Sequence, residues 1–321
     1  MNRDDTVVRP LLDLRGIVKR YALAGGRTLH ALADVSLHVD RHETLGLVGE
    51  SGCGKSTLAR VAMRLVPASD GQVVFDGDDI TTRPRRALAA QRARMQMVFQ
   101  DPFASLNPRL TIGRALEEPL IVQGRGTATE RRERVLAMLA RVGLRADVAE
   151  RHPHEFSGGQ RQRIAIARAL MLAPELLVCD EAVSALDVSV RAQVLNLLLE
   201  LRASFGLAML FISHDLAVVR HMADRVAVMY LGRVVELADR DTLWRTPRHP
   251  YTQALMAAAP APGAAPGRKA TVLAGDVPSA LAPPAGCHFH TRCPHATDRC
   301  RHEVPALRTI TARHVVACHL A

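Results

Sequence analysis

Short apolar runs alternate with stretches of helical periodicity through about residue 260. Two of these runs, Leu176–Cys179 and Leu207–Ile212, are almost continuously apolar, which is typical of parallel strands covered on both faces. A third, Glu43–Val48, predicts a buried strand that leads into a Gly-rich turn. Two shorter runs, Gln72–Phe75 and Met95–Phe99, predict further strands. The alternation as a whole predicts an α/β fold with a mostly parallel sheet.

The pattern becomes helical between residues 101 and 170. Val135, Leu139 and Val142 recur at i, i+4 and i+7, so they lie on one face of a predicted helix. A second helix is predicted at Lys55–Val66, which a proline follows.

The composition changes after residue 258, where six prolines mix with Gly and Ala over residues 259–286. Such a stretch is typical of a linker or an extended strap. The sequence therefore predicts a domain at 1–258 with a helical subdomain at about 101–170, a linker at 259–286 and a small cysteine-rich extension at 287–321. No apolar stretch is long enough to span a membrane, and the first residues do not resemble an export signal.

Charge and aromatic content narrow the range of partners. The 321 residues carry 42 Lys and Arg against 32 Asp and Glu, a formal net charge of +10. This balance favours a polyanion or a membrane surface as a partner. Aromatic residues make up only 3% of the chain, which argues against a single-strand nucleic-acid binder built on stacking platforms.

The most specific motif is GESGCGKST at Gly49–Thr57, which fits G-x-x-x-x-G-K-[ST] between a predicted strand and a predicted helix. Its glycines let backbone N–H groups turn toward phosphate oxygens, and the helix N-terminus adds a partial positive charge. Lys55 is predicted to reach the β- and γ-phosphates, and Ser56 to ligate Mg²⁺.

An apolar run that ends in two carboxylates, Leu176–Glu181, supplies groups that a phosphate cradle lacks. Asp180 is predicted to hold Mg²⁺ through its water shell, and Glu181 to position and polarise the attacking water. A further feature, Ser157–Gly159, leads into a helical run and forms a second helix N-terminus with small residues. Taken in isolation it predicts an ordinary helix cap, and its geometry also suits an anion.

Taken in order, these motifs resemble those of ABC-type ATPases. Walker A lies at 49–57, the signature at Phe156–Gln160, Walker B at 176–181, and Ser184–Asp187 and His214 follow. Gln100 matches the Q-loop, and Tyr21 matches the A-loop aromatic that stacks on adenine. The resemblance implies a P-loop NTPase with a RecA-like core that binds ATP and Mg²⁺.

The resemblance also assigns roles to individual residues. Those assigned to nucleotide binding are Tyr21, Gly49, Ser51, Gly52, Gly54, Lys55, Ser56, Thr57, Gln100, Ser157, Gly158, Gly159, Gln160, Asp180 and Asp187. Those assigned to catalysis are Glu181, His214 and Gln100, and those assigned to Mg²⁺ are Ser56, Gln100 and Asp180.

Three segments carry a closer resemblance, to the ATPase subunits of oligopeptide/dipeptide/nickel importers. They are Asp101–Arg109, Asp180–Val190 and His249–Thr252. Within them, Ala182-Val183 resembles the second of the two ATPase subunits of such systems. Two positions depart from the family pattern outside these segments: Phe156 replaces the commoner Leu, and His42 stands where Gly usually precedes a strand.

This resemblance implies a head-to-tail dimer, with ATP between the Lys55 loop of one subunit and Ser157–Gly159 of the other. His214 would contact the γ-phosphate and Asp187 would link the two sites. The implied partners are a second ATPase subunit, two membrane permease subunits and, through the complex, an extracytoplasmic solute-binding protein. The expected function is ATP-driven uptake of di- or oligopeptides or a related small solute, at the cytoplasmic face of the cell membrane.

Four cysteines, Cys287, Cys293, Cys300 and Cys318, crowd the last 35 residues. Their spacings fit the close pairs of structural zinc sites poorly, whereas four thiolates from a loop-rich segment suit a [4Fe–4S] cluster. The segment around Cys287 and Cys293 also resembles the C-terminal extension of the importer family, in which some members hold such a cluster. A zinc site, a mixed His/Cys site and metal-free thiols remain alternatives.

Two other functions are compatible with the sequence. A soluble ABC ATPase acting on nucleic acid or ribosomes would account for the positive charge, although the chain has one ATPase cassette and few aromatic residues. Alternatively, the cysteine tail is a redox-sensing module and the ATPase activity is secondary.

Overall fold

The computed structural model describes residues 9–101, 105–258 and 275–321. The chain divides into two compact units. The first unit comprises residues 1–39, 43–81 and 211–321, and the second comprises 40–42 and 82–210. Part of the predicted linker, residues 259–274, and Met1–Val8 lie outside the described residues.

The first unit contains most of the strands. They are β1 (Leu12–Ala22), β2 (Thr28–Val39), β3 (Thr44–Val48), β4 (Asp70–Phe75), β5 (Asp78–Asp79), β9 (Arg225–Tyr230), β10 (Arg233–Asp239), β11 (Arg308–Thr311) and β12 (His314–Val316), while β6 (Met95–Val98) and β7 (Leu176–Asp180) belong to the second unit. The strand β8 (Ala208–Ile212) crosses the boundary between the two residue ranges.

One sheet of the first unit is antiparallel, in the order β2-β1-β4-β5. Leu12, Leu14 and Ile17 of β1 are buried while intervening residues are more exposed, as expected for a sheet with one face on the core. Leu12 pairs with Val39 on one side and with Phe75 on the other.

The other strands of the first unit follow one another in the order β11-β12-β10-β9-β3. The β3 and β9 strands are parallel, and every residue of both is buried, which explains why β3 is apolar almost throughout. At the far side, β12 of the C-terminal extension pairs antiparallel with β10, with Glu236 opposite Val316. The extension therefore adds strands to the sheet that contains β3, the strand before the phosphate loop.

The helices of the first unit are α1 (Lys55–Ala62), α7 (Leu216–Met222), α8 (Arg240–Arg245), α9 (Pro250–Ala258) and α10 (Asp298–His302). The first of these is shorter than the predicted Lys55–Val66. It ends at Ala62 with Met63 as its C-cap, and Arg64 directly after the cap adopts a left-handed backbone conformation with φ 52°.

The helices of the second unit are α2 (Ala89–Arg94), α3 (Ile112–Val122), α4 (Ala128–Arg141), α5 (Gly158–Leu170) and α6 (Val188–Phe205). Three of them, α3 to α5, lie in the region predicted to be helical. Val135, Leu139 and Val142 are buried, as their spacing predicts. In the same unit β6 and β7 pair in parallel, with Met95 opposite Leu176.

His42, which departs from the family pattern, adopts φ 61°, a conformation that favours glycine. Its backbone O accepts a hydrogen bond from Arg202 at 2.6 Å, and its Nδ1 lies 2.8 Å from the Gly206 O. These contacts hold the imidazole and backbone in a conformation that is otherwise costly for a residue with a Cβ.

Helices in the described ranges are all too short or too polar to cross a membrane.

Candidate nucleotide site

The phosphate loop connects β3 to α1 and depends on glycine at two tight places. Gly49 has φ 152°, and a Cβ built there would lie 2.2 Å from the Met229 O. Gly54 has φ 109°, and its Cβ would lie 2.6 Å from the Ala31 O. Both contacts are with backbone, which cannot move aside as a side chain can. The loop conformation therefore requires glycine at both positions.

Lys55, the first residue of α1, is only 4% exposed. Its Nζ donates hydrogen bonds to the Gly49 O at 2.8 Å and to the Glu50 O at 3.0 Å. The ammonium is thus held across the start of the loop, where its charge can act on phosphate. Ser56 and Thr57 follow in the first turn of α1 and are half-buried, whereas Ser51 and Gly52 are exposed.

The predicted adenine platform, Tyr21, lies near the end of β1 and is half-buried. The Lys19 Nζ lies 4.8 Å from the centroid of the Tyr21 ring and donates a hydrogen bond to the Pro67 O at 2.8 Å. This cation–π contact restrains the ring. His214, which is predicted to contact the γ-phosphate, also belongs to the first unit and is exposed just after β8. The N of its neighbour Ser213 donates a hydrogen bond to the Leu47 O at 3.3 Å.

The second unit brings two predicted catalytic residues together. Asp180 is the last residue of β7 and is 5% exposed. Directly after it, the Glu181 Oε2 accepts a hydrogen bond from the Gln100 Nε2 at 3.1 Å. Glu181 has φ 50°, and its backbone O accepts from the Ser184 N at 3.1 Å and from the Ser184 Oγ at 2.9 Å. The carboxylate is therefore held by a strained but well-bonded turn.

The signature residues form the N-terminus of α5. Ser157 is the N-cap, its Oγ accepting from the Gln160 N at 3.4 Å while the Gln160 Oε1 accepts from the Ser157 N at 3.1 Å. Gly158 is exposed and Gly159 is buried. The prediction of a helix cap is confirmed here, since a complete capping box is present.

Two further predictions concern positions near this helix. Asp187 is exposed and is the N-cap residue of α6, and its O accepts from the Arg191 N at 2.8 Å. Phe156, the departure from Leu, is buried, with the Arg151 guanidinium 4.7 Å from its ring centroid. The aromatic side chain is therefore accommodated by packing and by a cation–π contact.

The two cysteines outside the tail are buried in the core. Burial raises the pKa of the Cys179 thiol to about 12 and also raises the pKa of the Cys53 thiol. Both thiols stay protonated at neutral pH and behave as small apolar side chains.

All four tail cysteines are free thiols, Cys300 and Cys318 buried and the other two partly exposed. The Cys287 N donates to the Cys300 O at 2.9 Å. Burial, and then the other three thiols, raise the pKa of Cys287 to about 11. Within residues 9–101, 105–258 and 275–321, however, no group of three or more His, Cys, Asp or Glu side chains is placed to hold a metal ion.

Two contacts of the phosphate loop have no counterpart in the sequence prediction. The Glu50 carboxylate pairs with Arg292 of the tail at 2.8 and 3.2 Å, and the Glu50 N donates to the Tyr251 Oη at 2.9 Å. Arg292 and Tyr251 lie more than 200 residues further along the chain than Glu50, so no local pattern could have indicated either partner.

Comparison with known proteins finds two regions of the chain that match known families. Residues 32–184 match the ABC transporter family, and residues 235–300 match the C-terminal region of oligopeptide/dipeptide transporters. The second match includes Cys287, Cys293 and Cys300.

Relatives extend over nearly the whole chain. A probable peptide ABC transporter ATP-binding protein of Sinorhizobium fredii is 52% identical over 97% of this chain and 90% of its own length. The oligopeptide transport ATP-binding protein AppF of Bacillus subtilis is 50% identical over 97% of both chains. Among solved structures, a dimeric post-hydrolysis state of an ATP-binding cassette bound to ADP and phosphate is 31% identical, with a TM-score of 0.65. The match covers 71% of this chain and 98% of that one.

Proposed function

We propose that this chain, which belongs to the family of ABC transporter ATP-binding proteins, hydrolyses ATP to drive the import of di- or oligopeptides through a membrane permease. The observation that carries the proposal is that one chain contains both an ABC transporter region and an oligopeptide/dipeptide transporter C-terminal region. The relatives are named for peptide transport. The alternative, a soluble ATPase acting on nucleic acid or ribosomes, rests on net charge and is not retained.

The proposed site combines the predicted residues according to their chemistry. The Lys55 ammonium binds the β- and γ-phosphates, while Gly49, Ser51, Gly52, Gly54 and Thr57 contribute the loop around them. Tyr21 stacks on adenine, and His214 contacts the γ-phosphate. Ser56, Gln100 and Asp180 offer the oxygen ligands that Mg²⁺ prefers, and the ion would neutralise charge on the phosphates.

Glu181 is the proposed general base that orients the attacking water. Two observations support this role. The Gln100 Nε2 holds one carboxylate oxygen at 3.1 Å, which restricts the rotation of the side chain. The backbone of Glu181 is in a left-handed conformation, and strained backbone is concentrated at functional sites.

The architecture we propose keeps the RecA-like core, the helical subdomain at about 101–170 and the cysteine-rich extension at 287–321 after a linker at 259–286. Two ATPase subunits dimerise head to tail, so that Ser157, Gly158, Gly159 and Gln160 contact the nucleotide of the other subunit and Asp187 links the sites. The partner is a second, different ATPase subunit. The dimer docks on two permease subunits at the cytoplasmic membrane face, and a solute-binding protein delivers the peptide.

We further propose a [4Fe–4S] cluster on Cys287, Cys293, Cys300 and Cys318. Burial raises the pKa values of Cys287 and Cys293, and neighbouring thiols of the tail raise them further, yet within the described ranges the four thiols are not arranged as ligands of one metal ion. A cubane cluster is larger than a single ion, so its thiolates lie farther apart than those of a zinc site. The iron–sulfur core would compensate the negative charge of the four thiolates, and its bonds to them would cross-link a small segment that has little core of its own.

The cluster is tested on the full chain purified without oxygen. About four iron and four sulfide per chain are expected for a [4Fe–4S] cluster, and Cys293→Ser should lose them. One tightly bound zinc, or four thiols that titrate freely in anaerobic protein, would show that the cluster is absent.

The function is tested with the complete complex in proteoliposomes, supplied with the solute-binding protein and a labelled dipeptide or tetrapeptide. We expect uptake to depend on ATP. Glu181→Gln should reduce hydrolysis about a hundredfold or more and abolish uptake while ATP still binds. Glu200→Gln, an exposed position on α6, is the matched control and should leave both rates unchanged.

Hydrolysis without uptake of any peptide would contradict the proposed substrate. Hydrolysis that survives Glu181→Gln would contradict the assignment of the base.

A further inference from the structure

Arg292 of the tail contacts the phosphate loop through a paired hydrogen bond. Its Nη1 donates to the Glu50 Oε2 at 2.8 Å, and its Nη2 donates to the Glu50 Oε1 at 3.2 Å. The Arg292 side chain is 6% exposed and that of Glu50 is 26% exposed. This fork-to-fork geometry fixes both groups, and it is stronger than a single contact in water because little solvent screens it.

Aromatic packing places the guanidinium at this position. The Arg292 Cζ lies 5.9 Å from the centroid of the Tyr230 ring. Phe289, three residues before Arg292, packs edge-on against Tyr230 with a centroid separation of 5.2 Å and lies 5.4 Å from Tyr251. All three rings are buried. The tail is therefore joined to the core of the first unit at the point from which Arg292 extends.

Glu50 is held from two directions. The tail holds its carboxylate, and the Tyr251 hydroxyl of α9 accepts a hydrogen bond from its backbone N at 2.9 Å. The Glu50 O in turn accepts from the Lys55 Nζ at 3.0 Å. A continuous chain of contacts thus runs from Arg292 through Glu50 to the lysine that is proposed to bind phosphate.

The charges explain why such a contact matters for a nucleotide. A carboxylate within a loop that binds a polyphosphate repels the ligand, most strongly where solvent is scarce. Arg292 neutralises Glu50, and the Glu50 carboxylate in turn raises the pKa of the Arg292 guanidinium. With the Glu50–Arg292 pair intact, the Glu50 charge is neutralised, and the positive charge of Lys55 is the net charge that the loop presents to phosphate.

We infer that Arg292 is a positioning residue for ATP binding, by which the cysteine-rich tail neutralises and holds Glu50 of the phosphate loop. The tail is therefore part of the nucleotide-binding half-site of its own subunit. This inference deepens the proposed function, since it rests on ATP binding by the loop at 49–57. It does not depend on which solute is transported.

The test is a mutant cycle in the full-length chain, with ATP affinity measured by titration of a fluorescent ATP analogue and competition by ATP. Arg292→Met should raise the Kd for ATP about tenfold, because it leaves the Glu50 carboxylate unpaired beside the phosphates. Turnover at saturating ATP should change less than about twofold, since the catalytic groups are untouched. Arg292→Lys should lie between Met and wild type because lysine keeps the charge without the fork.

The decisive variant is the double substitution Glu50→Gln with Arg292→Met. Removing the carboxylate should restore the Kd to within about threefold of wild type, although the ion pair is gone. Arg299→Met is the matched control: Arg299 also lies in the tail and pairs with Glu303 at 2.6 Å, but that pair is exposed. It should leave the Kd unchanged.

An unchanged Kd in Arg292→Met would overturn the inference. An elevated Kd that Glu50→Gln fails to rescue, together with a lowered unfolding temperature of both variants, would show that the contact serves only folding. Loss of peptide uptake has no bearing on these results, because the affinity for ATP is measured without a permease.

Discussion

Two helix N-termini, those of α1 and α5, lie at predicted nucleotide contacts and are built in opposite ways. The first follows Gly54, a residue in a left-handed conformation without a side chain to cap the helix. The second follows Ser157, whose hydroxyl accepts from the Gln160 N while the Gln160 side chain accepts from the Ser157 N. The N-cap of α1 thus offers no side-chain acceptor to the first amides of the helix, whereas at the α5 terminus the side chains of Ser157 and Gln160 accept hydrogen bonds from two backbone N–H groups.

This difference indicates how each helix contributes to binding. At α1 the ligand supplies the acceptors that the chain lacks, and Lys55 adds a full charge, so this terminus should dominate affinity. At α5 a phosphate must share or displace the capping box, so the gain per contact is smaller. In the head-to-tail dimer that we propose, the α5 terminus therefore suits a nucleotide that is already held elsewhere, and it adds specificity when that dimer closes.

The largest expected effect comes from removing the charge at α1. Lys55→Met should weaken ATP binding about a hundredfold or more, because a buried ammonium that contacts phosphate is worth several kcal/mol. Isothermal titration of the full chain with Mg–ATP measures this loss. Arg60→Met, an exposed position in the last turn of the same helix, is the control and should bind normally. Comparable affinity of the Lys55 variant and the control would end the claim that α1 dominates.

A smaller effect is expected from packing at α5. A Cβ at Gly159 would lie 2.3 Å from the Val190 Cγ1, whereas one at Gly158 would lie 3.7 Å from the Leu186 Cδ2. Gly159→Ala should therefore cost about 1–3 kcal/mol of unfolding free energy through overpacking. Gly158→Ala should be neutral or slightly stabilising, because alanine favours helix. Urea unfolding of the full chain compares the two, and equal destabilisation would contradict the packing argument.

The smallest effect is expected from the capping box. Ser157→Ala should cost about 1 kcal/mol, since the Gln160 N loses its acceptor. Hydrogen exchange at the first turn of α5 should quicken, while the first turn of α1 should be unaffected. Ser157→Asp keeps an acceptor and should restore protection. If the amides of the first turn of α5 exchange equally fast in the wild-type protein and in Ser157→Ala, the capping box does not protect this terminus. The contrast with α1 then disappears.

Much of this organisation could be predicted because its cause is local. The apolar runs that became β3, β7 and β8 are apolar because both faces of these strands are covered, and the phosphate loop requires glycine at Gly49 and Gly54. The capping box spans only four residues, Ser157–Gln160. The partners of the capping box lie within one turn, and the loop glycines are recognisable from their spacing in the motif, although the backbone atoms that exclude a Cβ there, the Met229 O and the Ala31 O, are distant in sequence.

The remaining contacts join residues that are far apart in the sequence, so they could be found only in the folded structure. Gln100 meets Glu181 across a separation of 81 residues, and Glu50 meets Arg292 across 242. Nothing near Arg292 distinguishes it among 42 Lys and Arg side chains, because an ion pair is selected by distance and burial, neither of which is a property of neighbouring residues. The pairing of β12 with β10 is likewise long-range. The sequence by itself determined the local chemistry of the phosphate loop and the tail, and only the tertiary structure decided that they touch, because strand pairing and aromatic packing bring Arg292 to Glu50.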